Sequence, residues 1–206
     1  MNRRTPSATG VVNHPNPFGP VDHSVPVLSV RNPDGELQAV VFGYACHNTT
    51  MGFLKWYGDY AGYAQEYLEA DHPGVTALFM LGCGGDQNPY PRSELKYAKH
   101  HGRTLATAVE AALEVNQRLL RHQRSVNGPL RFTLETVDLK FAVKDRPDFA
   151  YPVQAIRFGD DVTLIALGTE VVVDYSLRLK SELSRPEGPA IWVAGYSNVY
   201  SGYIPS

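Results

Sequence analysis

Apolar positions recur at every second residue in some stretches of the chain and at every third or fourth in others, and the changes of period mark its elements. Residues 25–30 and 37–46 are rich in β-branched side chains and flank Asn32-Pro33-Asp34-Gly35. Proline presets φ and glycine accepts positive φ, so this stretch predicts a β-hairpin. Tyr60, Tyr63, Ala64, Tyr67 and Leu68 fall at i, i+3, i+4, i+7 and i+8, one apolar helix face that His72-Pro73-Gly74 ends. Residues 75–81 read as a short buried strand closed by Gly82-Cys83-Gly84-Gly85. A long helix follows, with Leu105, Ala108, Val109, Ala112, Leu113 and Leu119 inward, and Asn127-Gly128-Pro129 stops it. Residues 130–143 read as an extended strand, with Val137, Leu139, Phe141 and Val143 alternating, and Pro147 and Pro152 bound a loop. Residues 153–158 and 162–167 flank Gly159-Asp160-Asp161 as a second hairpin. A helix is expected over residues 170–183 and a last strand over 190–194. Residues 1–24, rich in Pro, Asn and Gly without an apolar period, read as loop or as a severed edge of something longer. Hairpins mixed with strand–loop–helix units predict an α/β fold with a mixed β-sheet and flanking helices, built as one domain.

Composition narrows the function classes. Nineteen basic against 21 acidic residues give a net charge of −2, without the basic excess of a nucleic-acid-binding chain. No apolar run approaches the roughly 18–20 residues of a membrane span. The opening residues carry Arg3 and Arg4 but no apolar stretch behind them, so no signal peptide is read. Two cysteines, Cys46 and Cys83, make neither a disulfide framework nor a four-thiolate zinc site, and are expected as buried free thiols. The basic excess between Arg92 and Arg131 reads as a solvated helix face carrying His100 and His101.

Candidate chemistry is positional. Four polar clusters each begin just after a predicted strand: Cys46-His47-Asn48-Thr49-Thr50, Gly84-Gly85-Asp86-Gln87-Asn88-Pro89, Gly168-Thr169-Glu170, and Tyr196 to Tyr203. Ligands of open α/β sheets bind outside the carboxyl ends of strands, so these clusters are the site hypothesis. Singly, each has a plain structural reading: His47 as a hydrogen-bonded core histidine, Glu170 as a helix-dipole partner, the tyrosines as packing. The Gly82–Gly85 run lacks the Lys and Ser/Thr of a P-loop, but glycines let backbone N–H groups approach an oxyanion.

Together, residues 21–28, Ala45-Cys46-His47-Asn48-Thr49, Gly58-Asp59-Tyr60, residues 82–89, Gly168-Thr169-Glu170 and Ser201-Gly202-Tyr203 resemble, in order, the neutral/alkaline ceramidase family, in its bacterial ceramidase-like branch. The resemblance implies a zinc amidohydrolase, often secreted, that cleaves the amide of N-acylsphingosine or a related N-acyl lipid, at a membrane surface. By position it implies His47, Glu170 and Tyr203 as zinc ligands. It places Arg3 at the family's active-site arginine, to steady the substrate carbonyl or its oxyanion. The loop from Gly84 to Asn88, with Asp86, is expected at the same oxyanion, and Gly84, Gly85 and Tyr200 at the substrate.

The chain departs from the family in three ways. It holds no His-x-His motif, which in the family supplies the first zinc histidine and a second, assisting one, upstream of the Asn2-Arg3 match. The family's Gly-Asp-x-Ser-Pro-Asn reads Gly85-Asp86-Gln87-Asn88-Pro89-Tyr90, so Asn88, an amide that cannot attack but can hydrogen-bond, replaces serine. The chain ends at Ser206, before the family's remaining tail and C-terminal domain. The expectation is therefore an incomplete catalytic domain. Two alternatives stay open: an inactive homologue serving as a binding module or without independent role, and a hydrolase of a different N-acyl substrate.

Overall fold

The computed structural model describes residues 1–118, 125–141 and 147–205. The chain divides into two compact units, Met1–Leu81 with Asp86–Gln123, and Gly82–Gly85 with Arg124–Ser206.

The first unit opens with a hairpin of β1 (Asn2–Ser7) and β2 (Gly10–Asn16), where a loop was expected. The missing period has a physical cause: β2 is exposed along almost its whole length, so neither of its faces needed apolar residues. Gly10 turns the chain at φ 123°, and the Ser7 hydroxyl donates to its carbonyl at 2.9 Å. The hairpin of β3 (Val27–Arg31) and β4 (Leu37–Tyr44) forms where Pro33-Asp34-Gly35 places it. A crossover through α1 (Asp59–Asp71) then sets β5 (Thr76–Leu81) parallel to β4, giving the order β3-β4-β5.

Helix α2 (Leu95–Arg118) packs against α1. Its inward stripe is Ala98, Leu105, Ala106, Val109 and Leu113, while Ala108 is exposed rather than buried, and Leu119 lies outside the described residues. Leu105, Ala106, Val109 and Leu113 close over Val40, Phe42, Ala64 and Leu68. Phe42 and Leu68 have no solvent exposure, and full burial of such side chains contributes about 1.5–3 kcal/mol each.

Gly102 sets how closely the two helices approach. A Cβ there would stand 2.6 Å from Tyr63 Cβ and 2.8 Å from the Tyr60 carbonyl oxygen. Alanine is the better helix former by about 1 kcal/mol, but overpacking costs about 1–3 kcal/mol, and contact with backbone cannot be relieved by a rotamer change. Gly102→Ala is therefore expected to lower the midpoint of a thermal melt followed by circular dichroism. An unchanged or higher midpoint would show that the helices separate without loss.

The second unit is a four-stranded sheet, β10-β8-β7-β6, of β6 (Leu130–Leu139), β7 (Phe149–Phe158), β8 (Val162–Leu167) and β10 (Ala190–Ala194). β6, β7 and β8 are antiparallel neighbours, and α3 (Val173–Leu183) carries the chain across to β10, parallel to β8. Val143 of the expected longer strand lies outside the described residues. Pro152 sits within β7, not at the end of a loop. It pairs with Thr136 of β6, while the β8 pairing begins only at Val153, so its missing N–H faces no second strand.

The expected helix from Glu170 is also displaced. Thr169 turns at φ 57°, and Glu170–Val171 forms a short strand, β9, parallel to β11 (Tyr203–Ile204). The Glu170 N–H donates to Gly202 O at 3.0 Å, which holds the residue extended, and α3 starts only at Val173. Cys83, Tyr151, Ile165, Leu167, Val171 and Val193 form this unit's core. Among the described residues no helix is long and apolar enough to cross a membrane.

Candidate functional site

In the first unit the start of β1 is laid on the loop after β5, a strand expected to be buried but buried only at Ala77. The Arg3 N–H donates to Asp86 O and the Asn88 N–H to Met1 O, each at 2.9 Å, with Asn2 bridged to Gln87 between them. A break in the hairpin register between Asn2 and Arg4 accompanies this attachment. Asn2 is buried and donates from Nδ2 to Asp86 Oδ2 at 3.1 Å and to Pro20 O at 3.0 Å. Arg3, Asp86 and Asn88, 83 to 85 residues apart in the chain, thus converge.

Asp86 is 1% exposed, and Arg4 Nε lies 2.7 Å from its Oδ2. A charge that deep requires such a partner. Sequence reasoning passed over Arg4, the residue that holds the loop's carboxylate. The signal was the adjacency of two arginines on what proved to be a strand, where successive side chains take opposite faces.

His47 is also buried, and its N–H donates to Gln87 O at 3.0 Å, so the loop after β4 meets the loop after β5. Beside it the Tyr60 hydroxyl donates to Cys46 O, and burial pushes the Cys46 thiol up to about 12. Neither cysteine forms a disulfide and both are buried, the setting of inert rather than nucleophilic thiols.

A cavity of about 470 Å³ opens here, lined in part by Arg3, Asn13, Thr49, Asn88, Tyr90 and Arg92. Asn88 Oδ1 and Thr49 Oγ1 are buried without a hydrogen-bond partner. A ligand that donates to one and exchanges a hydrogen bond with the other would satisfy both.

The second unit gathers the other group of sequence candidates. Glu170 is 6% exposed, and the register of β9 with β11 sets it directly beside Tyr203. Paired residues of neighbouring strands share a sheet face. The Tyr200 hydroxyl donates to Glu170 Oε1 at 2.8 Å, and that bond, then the carboxylate's charge, raises the Tyr200 phenol above its ordinary value. Glu170, Tyr200 and Tyr203 are therefore one carboxylate–phenol group. Gly84 and Gly85 are both buried. The Gly85 N–H donates to Val171 O at 2.9 Å, and a Cβ on it would stand 2.6 Å from Glu170 O, so this glycine lets β9 lie close.

Among the described residues no three His, Cys, Asp or Glu side chains gather as a metal centre. The Glu170–Tyr203 pair nonetheless has the right chemistry for half of one. Carboxylate and phenolate oxygens are hard, anionic donors that suit a divalent ion and leave it electrophilic. His47, the imidazole the resemblance adds, belongs to the first unit.

No protein-family model matches the chain, and no curated protein matches it by sequence. Solved structures do. The crystal structure of neutral ceramidase from Pseudomonas aeruginosa superposes with a TM-score of 0.70 at 18% identity, over 89% of this chain and 41% of that one. A ceramidase complexed with C2 gives a TM-score of 0.72 at 16% identity, over 93% of this chain and 44% of that one. The chain spans less than half the length of either protein. Across nearly all of its own length it shares their fold, the mixed α/β architecture that the resemblance implies.

Proposed function

We propose that the chain is part of a ceramidase-like amidohydrolase that uses zinc to hydrolyse the amide of N-acylsphingosine or a related N-acyl lipid. The observation that carries this reading is the register of Glu170 with Tyr203, which joins two of the implied ligands, 33 residues apart, on adjacent strands. The fold shared with neutral ceramidase supports it. Glu170 and Tyr203 would hold the ion, with His47 as the third ligand. Bound zinc supplies Lewis acidity and an acidified water at neutral pH.

The chain's own groups supply the rest. Tyr200 fixes the Glu170 carboxylate through its hydroxyl, the kind of outer contact that orients a metal ligand. Arg3, on the cavity wall, takes the carbonyl oxygen and the negative charge that develops there when the carbonyl is attacked. Asn88 hydrogen-bonds the reacting amide from the same wall, and the Asp86–Arg4 pair anchors the loop that carries it. Water is consumed, the C–N bond breaks, and a fatty-acid carboxylate and a sphingoid amine leave.

Metal analysis and hydrolysis of a fluorescent short-chain ceramide test this together. The expected result is one zinc per chain and release of the labelled acid, lost on chelation and restored by zinc. Protein prepared in excess zinc that retains none, or hydrolysis indifferent to a chelator, would overturn the proposal.

A further inference from the structure

The second unit's sheet ends on an unprotected edge. Among the described residues β6, Leu130–Leu139, pairs only with β7, so its outer edge presents a row of backbone N–H and C=O groups. Such edges are usually blunted by shortness, a proline, lysines or a bulge. β6 has none of these. Its register with β7 runs unbroken from Leu130 to Leu139, and it contains neither proline nor lysine.

Both faces of this edge are exposed. Residues two apart share a face, so Leu130, Phe132 and Leu134 form one apolar row, with Phe132 74% exposed. Arg131, Thr133 and Glu135 line the opposite face. Arg131 stands across from Arg157 of β7, a like charge, and Arg157 is itself paired with Asp160. A carboxylate on the outer side of Arg131 would offset that repulsion.

The strand is complementary to itself in one register. Two copies paired antiparallel about a two-fold axis normal to the sheet keep their side chains on matching faces only when the axis passes through a residue. Centred on Thr133, each Arg131 meets Glu135 of the second copy, the two threonines face each other, and Phe132 lies beside Leu134 of the second copy. Centred on Arg131 or Glu135, identical charges would meet. Centred on Phe132 or Leu134, the opposite charges would not pair. Pro129, which has no N–H to give, would fall opposite Val137 and end the overlap.

We propose that the chain forms a two-fold dimer through β6, joining two four-stranded sheets edge to edge. Arg131–Glu135 pairs hold one face of the junction and Phe132–Leu134 contacts the other. The contact uses the same edge of both copies, so pairing stops at two. The dimer goes beyond the amidohydrolase reading and does not depend on it.

Sedimentation equilibrium of the full chain tests this. At about 100 µM chain, which saturates an interface of micromolar strength, the expected mass is twice the 22.8 kDa of one copy. Glu135→Arg sets arginines opposite one another and Arg131→Glu sets carboxylates so, and each is expected to weaken dimerisation at least about tenfold. Mixed in equal amounts, the two variants pair a doubly basic edge with a doubly acidic one and are expected to regain the dimer, a rescue that misfolded chains would not show. Thr133→Cys, on the axis, is expected to give a disulfide-linked dimer under mild oxidation, the native cysteines being buried, whereas Val137→Cys is not.

A monomer mass at that concentration would overturn the proposal, as would a dimer indifferent to both charge reversals or one that mixing does not restore. Assemblies larger than two copies would overturn it by showing contact between unlike surfaces. Failure of Thr133→Cys to link, or equal linking through Val137→Cys, would overturn the register.

Discussion

Asp86→Ala lowers the stability of the first unit by about 3 kcal/mol, the loss expected when one member of a buried ion pair is removed and the other stays. The carboxylate is 1% exposed and receives the Arg4 guanidinium at 2.7 Å, the Asn2 amide at 3.1 Å and the Gln87 amide at 3.0 Å. Alanine removes this acceptor from all three, although the Asn2 and Gln87 amides keep Pro20 O. The Arg4 side chain is 28% exposed and regains some water, which places the loss at the lower end of the usual range. Asp86→Asn keeps an acceptor and the volume while removing the charge, and is expected to lose about half as much. Urea unfolding read by circular dichroism measures both. A midpoint for the alanine variant matching a loss within roughly 0.5 kcal/mol of zero, the range of ordinary surface substitutions, would show that the pair does not hold the loop.

On the proposed zinc reading, Glu170→Gln is expected to abolish zinc binding. The substitution nearly preserves shape and leaves an oxygen to accept from Tyr200, so the β9–β11 register is expected to survive. It replaces an anionic donor by a neutral amide, a poor zinc ligand. Affinity measured by competition with a chromogenic chelator is expected to fall at least about a hundredfold, while Tyr200→Phe, which removes only the orienting hydroxyl, costs about 10–100-fold. The ordering of the two variants matters more than either value. Undiminished affinity in Glu170→Gln, with an unchanged circular dichroism spectrum, would show that this carboxylate serves packing alone.

Elements with one buried face were legible. The β3–β4 hairpin and α1 announce themselves because their inward residues repeat at the proper spacing, and Gly35 takes φ 86° where the turn requires it. The β1–β2 hairpin was not, because a solvated ribbon has no reason to alternate. Pro152 read as a loop residue because a proline's cost depends on which edge of its strand is paired, which no local pattern records. Glu170 read as a helix start since Gly-Thr-Glu suits one. A backbone bond to Gly202, 32 residues on, decides otherwise. At the site, the residue types were visible and their partners were not. Arg3 was singled out through its motif and Arg4 was passed over, although Arg4 meets the buried charge. Tyr200, expected at the substrate, donates its hydroxyl to Glu170, a partner 30 residues away that no local pattern records.

The attachment of Asn2 and Arg3 to Asp86 and Gln87 constrains how the nascent chain folds. The β1–β2 ribbon can zip from its own short turn soon after it emerges, but its docking surface is encoded 84 residues later. At a translation speed of about 5–20 residues per second, the ribbon waits roughly 4 to 17 s for that surface. For that interval the ribbon, marginal on its own in water, carries two adjacent arginines whose partner Asp86 is not yet synthesised.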